Sequence, residues 1–278
     1  SSGIYQLEYL VASLQTMVPV AVLLTGEDAG CDEACVAKTR ECFECVEEDD
    51  PGRFDLQDLK MRSLSKKGLP ANVKVIVVLG GDVWPVSDDD EDFGQLAALG
   101  PHGGAKLVAA VRDGGAVYIG ICAGAFTALE LEGFGLAGKV RIVHREVFGC
   151  SEMGEVNGYI ALAAGDQVVP EVLSVMQTLL PAAWYDNGPL FECDESDDIR
   201  ILASYEGPLK FEGEADSQVA KEWEEHGPKM EGKAAVILCR VGDPSTCGGR
   251  AAVDFRCLNL LRRASRDSAA SRCTSDVG

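Results

Sequence analysis

Three apolar runs of strand length, Val18–Leu24, Val73–Leu79 and Ala116–Ile119, each run into a glycine turn, with polar and helix-forming stretches between them. Strands buried on both faces read as short continuous apolar runs, and joining them in parallel needs a crossover long enough for a helix. The intervening segments supply those crossovers. Asp28 to about Glu47 reads as a helix closed by Asp49-Asp50-Pro51-Gly52, and Lys106–Arg112 as a helix closed by Asp113-Gly114-Gly115. Phe54–Leu59 is a short strand or turn, and Ser87–Asp92 an acidic loop. The first half therefore predicts an α/β fold: three layers, a mostly parallel sheet with helices on both faces. The second half is richer in strand patterns, at Val140–Val143, Tyr159–Ala163, Ile199–Tyr205 and Ala234–Val241, with charged connections at Asp194–Asp198 and Glu212–Glu231.

In open parallel sheets, sites lie beyond the carboxyl ends of the strands. Two turns fall there. Gly80-Gly81-Asp82 follows the second run, and Gly120-Ile121-Cys122-Ala123-Gly124 links the third to a helix-forming stretch, Ala123 to Leu131. A small-residue turn from strand to helix has the form of a nucleophile elbow, in which flanking glycines permit the sharp turn and leave room for substrate. Cys122 is then the nucleophile, its thiol made more acidic by the helix N-terminus, and the Ala123 N–H faces a developing oxyanion. A buried cysteine in a tight turn fits the same five residues.

A formal net charge of −20 argues against a broad phosphate-binding surface and hence against nucleic acid as partner. No apolar stretch reaches the 18 or so residues of a membrane span. The 11 cysteines are an odd number in a chain long enough to build a core without disulfides, which suits a cytoplasmic or other reducing compartment. The sequence opens on Ser1 rather than Met, so missing upstream residues, including a removed targeting segment, stay open.

Several separated pieces occur together in one order: Val77-Val78-Leu79-Gly80-Gly81-Asp82, Gly114 to Phe126 around the elbow, Tyr185-Asp186-Asn187-Gly188-Pro189-Leu190-Phe191, Ile201-Leu202-Ala203-Ser204-Tyr205, and Ala234 to Gly242. Together they resemble the biotin–protein ligase N-terminal domain family, a branch of the class I glutamine amidotransferase-like superfamily with a flavodoxin-like fold. The resemblance implies one such domain over residues 18–261, an N-terminal extension over 1–17, and a Ser-, Arg- and Asp-rich disordered tail over 262–278. Nothing in the chain provides a separate ligase domain, since Gly248-Gly249-Arg250 is too short for a nucleotide-binding loop.

The resemblance also implies chemistry: an elbow cysteine that attacks a carbonyl, a His with an acidic partner that activates it, and an oxyanion hole of backbone N–H groups at Gly81, Asp82 and Ala123. For Asp82 the preferred reading of the residue itself is a turn residue bonding its local backbone. The base is where this chain departs from the family. Relatives carry His-Pro-Glu after a final strand opening Gly-Arg; here the strand runs from Gly249 to Asn259, with Cys257 and Asn259 standing where His and Glu would be. A thiol does not replace an imidazole tuned near neutral pH. Three histidines are substitutes in principle. His102 sits in a loop, Pro101-His102-Gly103-Gly104, and His226 in a charged loop. His144, beside Arg145 and Glu146 at a strand end, is the strongest candidate base.

Cys31, Cys35, Cys42 and Cys45 fall within an arc of about 80° on one helix face. On one helix their ends lie about 21 Å apart, too far to share a tetrahedral ion, so the stripe reads as a buried face and no metal is assigned. Trp84-Pro85 lines a pocket or anchors a loop, and Asn187-Gly188-Pro189 is a turn. Three functions follow: a cysteine-dependent hydrolase or amide-transferring enzyme on a small carbonyl substrate, with no cofactor; a non-catalytic module binding a ligand or partner in the same cleft; or a thiol redox sensor pairing Cys122 with Cys257. Oligomeric state stays open.

Overall fold

The β-branched runs form strands as their patterning predicts. The structure, a computed structural model, describes residues 18–49, 54–84, 93–143, 157–165, 183–186, 188–211, 224, 227–242 and 252–256. Strands β1 (Val20–Thr25), β2 (Asp55–Lys60), β3 (Val73–Val78) and β4 (Val117–Gly120) pair in parallel in the order β2-β1-β3-β4. The fifth position is taken from the far end of the chain: β11 (Ala252–Arg256) lies parallel to β4, with Val253 opposite Tyr118 and Phe255 opposite Gly120. This is the doubly wound, flavodoxin-like strand order.

Beyond β11 the sheet turns antiparallel through β10 (Ala234–Arg240), β9 (Ile199–Phe211), β6 (Asn157–Ala164) and β7 (Ala183–Asp186). A short pair, β5 (Val140–Ile142) and β8 (Phe191–Cys193), branches off the main path and joins it at β10.

Alternation along the parallel strands divides the core in two. Val22, Leu24, Ile76, Val78 and Tyr118 face helices α3 (Gln95–Arg112) and α4 (Ala123–Glu130), meeting Leu99, Leu107, Val111, Ala125 and Ala128. Leu23, Val77 and Leu79 face the opposite way, against Cys35, Val36 and Phe43 of helix α1 (Glu33–Asp49). The result is three layers, as the sequence predicts. β2 is the sheet's edge, and its charged, half-exposed sequence blunts that edge. A four-residue helix α2 (Leu64–Lys67) precedes β3.

Two helix expectations need correction. The first helix starts at Glu33, not Asp28: Gly26 and Gly30 adopt positive φ around a one-turn 3-10 segment, Glu27–Ala29, and the Asp32 carboxylate then caps α1 by accepting the Cys35 N–H at 2.9 Å. The second is longer than Lys106–Arg112. α3 begins at Gln95 and is broken at Gly100 (φ 57°, ψ 175°), where Pro101 restarts it with a φ suited to a first turn. Pro101-His102-Gly103-Gly104 therefore lies in a helix and not in a loop. The N-terminal extension and the tail from residue 262 lie outside the described residues.

Candidate functional site

The turn between β4 and α4 is stitched to the end of β3. Ile121 N–H donates to the Val78 carbonyl at 2.9 Å, and Gly124 N–H to the Leu79 carbonyl at 3.1 Å. Between them the backbone of Cys122 is held at φ 51°, ψ −110°. Only Asn72 and Cys122 among the described non-glycine residues have positive φ, and Cys122 lies outside even the small left-handed basin. Such a conformation costs about 1–3 kcal/mol and persists only where its surroundings impose it.

The flanking glycines show how it is imposed. A Cβ on Gly120 would lie 2.7 Å from the Gly124 carbonyl oxygen, and one on Gly124 would lie 2.0 Å from the Val78 carbonyl oxygen. Strand and helix thus approach backbone to backbone. The buried Tyr118 hydroxyl, donating to the Gly124 carbonyl at 2.6 Å, fastens the strand to the helix.

Behind the elbow lies a polar link that no sequence spacing announces. Gln95 and Thr127 are fully buried. Gln95 Nε2 donates to the Leu79 carbonyl at 2.8 Å, and Thr127 Oγ1 donates to Gln95 Oε1 at 2.7 Å. The same Leu79 carbonyl receives the Gly124 N–H, so α3, α4 and the end of β3 meet at one oxygen. Thr127→Val keeps the shape but leaves Gln95 Oε1 unsatisfied, and is expected to cost about 1–3 kcal/mol. The measurement is a lowered urea midpoint with unchanged slope.

The Gly80-Gly81-Asp82 turn stands beside the elbow: a Cβ on Gly80 would lie 3.4 Å from Cys122 Cβ. Gly81 has φ 137°, and the Gly30 carbonyl oxygen lies 1.7 Å from where its Cβ would be, so only glycine fits. One consequence corrects the expected donor set. Asp82 N–H already donates to that Gly30 carbonyl at 3.0 Å and is not available to an oxyanion, while the Asp82 carbonyl accepts the Gln95 N–H at 2.9 Å. Among the described residues, the Gly81 and Ala123 N–H groups have no acceptor. Trp84 is 42% exposed and packs edge-on against Phe126 of α4, with ring centroids 6.1 Å apart. It forms an aromatic wall at the first turn of α4.

Partial desolvation raises the Asp82 carboxyl above its ordinary pKa. A raised acid favours folding below its unfolded pKa and disfavours it above. Asp82→Asn is therefore expected to raise the urea midpoint slightly at pH 7, the gain vanishing by about pH 3.

The structure brings Cys122, Gly81 and Ala123 to one end of the sheet. His102 is exposed in α3 just past the break at Gly100, and no contact among the described residues ties it to the elbow. His144, His226, Cys257 and Asn259 lie outside the described residues, as do Pro85 and Asn187. The described part of β11 stops at Arg256, at the elbow's end of the sheet.

The cysteine stripe is not one helical face. Cys31 precedes α1, pairs as an isolated bridge with Gly81, and points its thiol at the Leu24 carbonyl at 3.8 Å. Burial pushes its thiol up to about 11, with help from Cys35 and Asp28. Cys35 lies in the first turn of α1, half-buried; Cys42 and Cys45 follow on α1, their side chains outside the described residues. Among the described residues no three His, Cys, Asp or Glu side chains converge on a metal position. A separate groove of about 580 Å³, lined by Lys139, Arg141, Glu192 and Lys233 among others, shares no residue with the elbow. Two of its three cations, Lys233 and Arg141, pair with Glu192 and lower that carboxyl's pKa. No described helix is long and apolar enough to cross a membrane.

No protein-family model and no curated protein matches the sequence. Among solved structures, the chain is similar to the glutaminase domain of Trypanosoma brucei CTPS with bound acivicin. That likeness has 13% identity and a TM-score of 0.45, covering 87% of this chain and 85% of that one. It is also similar to a ThuA-like protein from Bacteroides uniformis, at 13% identity and a TM-score of 0.34, over 67% of each chain.

Proposed function

We propose that this chain is a class I glutamine amidotransferase-like domain of the biotin–protein ligase N-terminal type, and that Cys122 is the nucleophile of acyl transfer from a small carbonyl substrate such as a carboxamide. The observation that carries the reading is the backbone of Cys122, at φ 51° and ψ −110° between two glycines that tolerate no side chain. A buried structural cysteine has no need of a strained conformation at a helix N-terminus, whereas a nucleophile does.

In this mechanism the Cys122 thiolate attacks the substrate carbonyl carbon. The oxygen, now negative, receives the N–H groups of Gly81 and Ala123. The leaving amine departs with a proton, and water or an acceptor amine then cleaves the thioester. His144 is the proposed base. A site that depends on a thiolate suits a reducing compartment.

The test is intact-mass analysis after acid quench with an activated carbonyl substrate. One acyl group is expected on Cys122, none on Cys122→Ala, and none on His144→Ala if His144 is the base. Unchanged acylation of His144→Ala would dispose of that assignment. A second reading, a ligand-binding module without turnover, is favoured by the lack of any histidine after His226. It predicts binding in the cleft with no acylation of Cys122.

A further inference from the structure

Cys35 and Cys122 abut the same residue. A Cβ on Gly80 would lie 3.6 Å from Cys35 Sγ and 3.4 Å from Cys122 Cβ; Gly80 carries none, so that space between the two side chains is left open. The arrangement is fixed from both sides. Gly80 O accepts the Asp32 N–H at 3.2 Å, and Asp32 in turn caps the Cys35 N–H. Burial raises the Cys35 thiol above its ordinary pKa, an effect that Gly80 and Thr39 partly offset. On the other side the elbow is bonded to Val78 and Leu79, immediately before Gly80.

We propose that Cys35 is the resolving thiol of Cys122, so that oxidation of the elbow by a hydroperoxide ends in a reversible Cys35–Cys122 disulfide. The two contacts confine Cys35 Sγ to within about 7 Å of Cys122 Cβ. Rotation about the two χ1 angles aims the sulfurs at each other, and a shift of the exposed first turn of α1 brings the Cβ atoms to the roughly 3.5–4.5 Å a disulfide needs. In the first step the Cys122 thiolate attacks one peroxide oxygen; the O–O bond breaks, leaving a sulfenic acid and hydroxide. In the second, Cys35 sulfur attacks Cys122 sulfur; the S–S bond forms, the S–O bond breaks, and the thiol proton leaves with the hydroxide as water. Overall one hydrogen peroxide is reduced to two waters and two thiols are oxidised to one disulfide. Cys35 thereby takes the part the sequence suggested for Cys257. The proposal rests on Cys122 as a reactive elbow thiol and not on acyl transfer.

The experiment treats the reduced full chain with one equivalent of hydrogen peroxide, blocks free thiols with N-ethylmaleimide, and maps linked peptides without reduction. A Glu-specific protease separates Cys31 from Cys35 at Glu33. The expected product is a Cys35–Cys122 linked peptide. Cys35→Ser is expected to leave Cys122 as a sulfenic acid trapped by dimedone. Gly80→Ala is the specific control, because contacts no closer than 3.4 Å accommodate its methyl group while that methyl fills the gap. It is expected to slow disulfide formation by about tenfold while initial dimedone labelling is unchanged. Linkage of Cys122 to Cys31 or Cys257, or an unchanged rate in Gly80→Ala, would overturn the proposal. Cys122 alkylated by iodoacetamide but never cross-linked sinks this proposal alone; Cys122 inert to both reagents sinks the acyl-transfer reading as well.

Discussion

Gly124→Ala is expected to lower stability by about 3–5 kcal/mol, near the upper end for single substitutions and a large share of a typical domain's total. Its Cβ would sit 2.0 Å from the Val78 carbonyl oxygen and 2.6 Å from the carbonyl carbon. Both atoms belong to backbone at the end of a central strand, so no side chain can rotate aside. Relief requires lifting α4 away from β3, which breaks the Gly124–Leu79 hydrogen bond and unpacks Ala125 and Ala128. Urea unfolding measures the loss. Gly103→Ala, in α3 with nothing nearer than 3.6 Å, is the matched control and is expected to be neutral or stabilising by up to about 1 kcal/mol.

Cys122→Gly is expected to do two opposite things: abolish covalent chemistry and stabilise the fold. Glycine adopts φ 51°, ψ −110° without the Cβ clash, relieving about 1–3 kcal/mol of strain. Its extra freedom in the unfolded chain takes back roughly 0.5–1 kcal/mol. The net gain of about 1 kcal/mol should raise Tm by about 2–4 °C. Cys122→Ala loses the thiol but keeps the strain, so it is expected to lose labelling with no gain in Tm. The difference between these two variants isolates the strain from the sulfur. A site where replacing the reactive residue improves the fold is one where stability is traded for chemistry.

Much of the parallel half was legible because its signals are local. Val73–Leu79 and Ala116–Ile119 carry their own patterning, and Gly120 and Gly124 are the small residues that a backbone-to-backbone turn requires. What was not legible depends on partners distant in sequence. Asp82 looked like an oxyanion donor because nothing near it reveals that Gly30 takes its N–H. Gln95 and Thr127 are unremarkable until α3 and α4 meet over Leu79. Pro101-His102-Gly103-Gly104 reads as a loop, yet the helix resumes at once after Gly100 because proline is favoured at a first helical position. The stripe from Cys31 to Cys45 has helical spacing, but Gly30 and the Asp32 cap put Cys31 outside the helix. The place of β11 beside β4 is set by the whole sheet rather than by the residues of Ala252–Arg256.

Whether Cys122 is an activated thiol at an elbow is tested most directly by its rate of alkylation by iodoacetamide as a function of pH. Peptide mapping follows each cysteine separately, with Cys122→Ser identifying the signal. Cys31 and Cys193, whose thiols burial pushes up to about 11, serve as internal comparisons and are expected to label only at higher pH than Cys122. The expected result is fast labelling of Cys122 with an inflection below about 7.5, the range of thiols at helix N-termini. Slow labelling with an inflection at about 8.5 or above would contradict it and return Cys122 to the part of a cysteine in a tight turn.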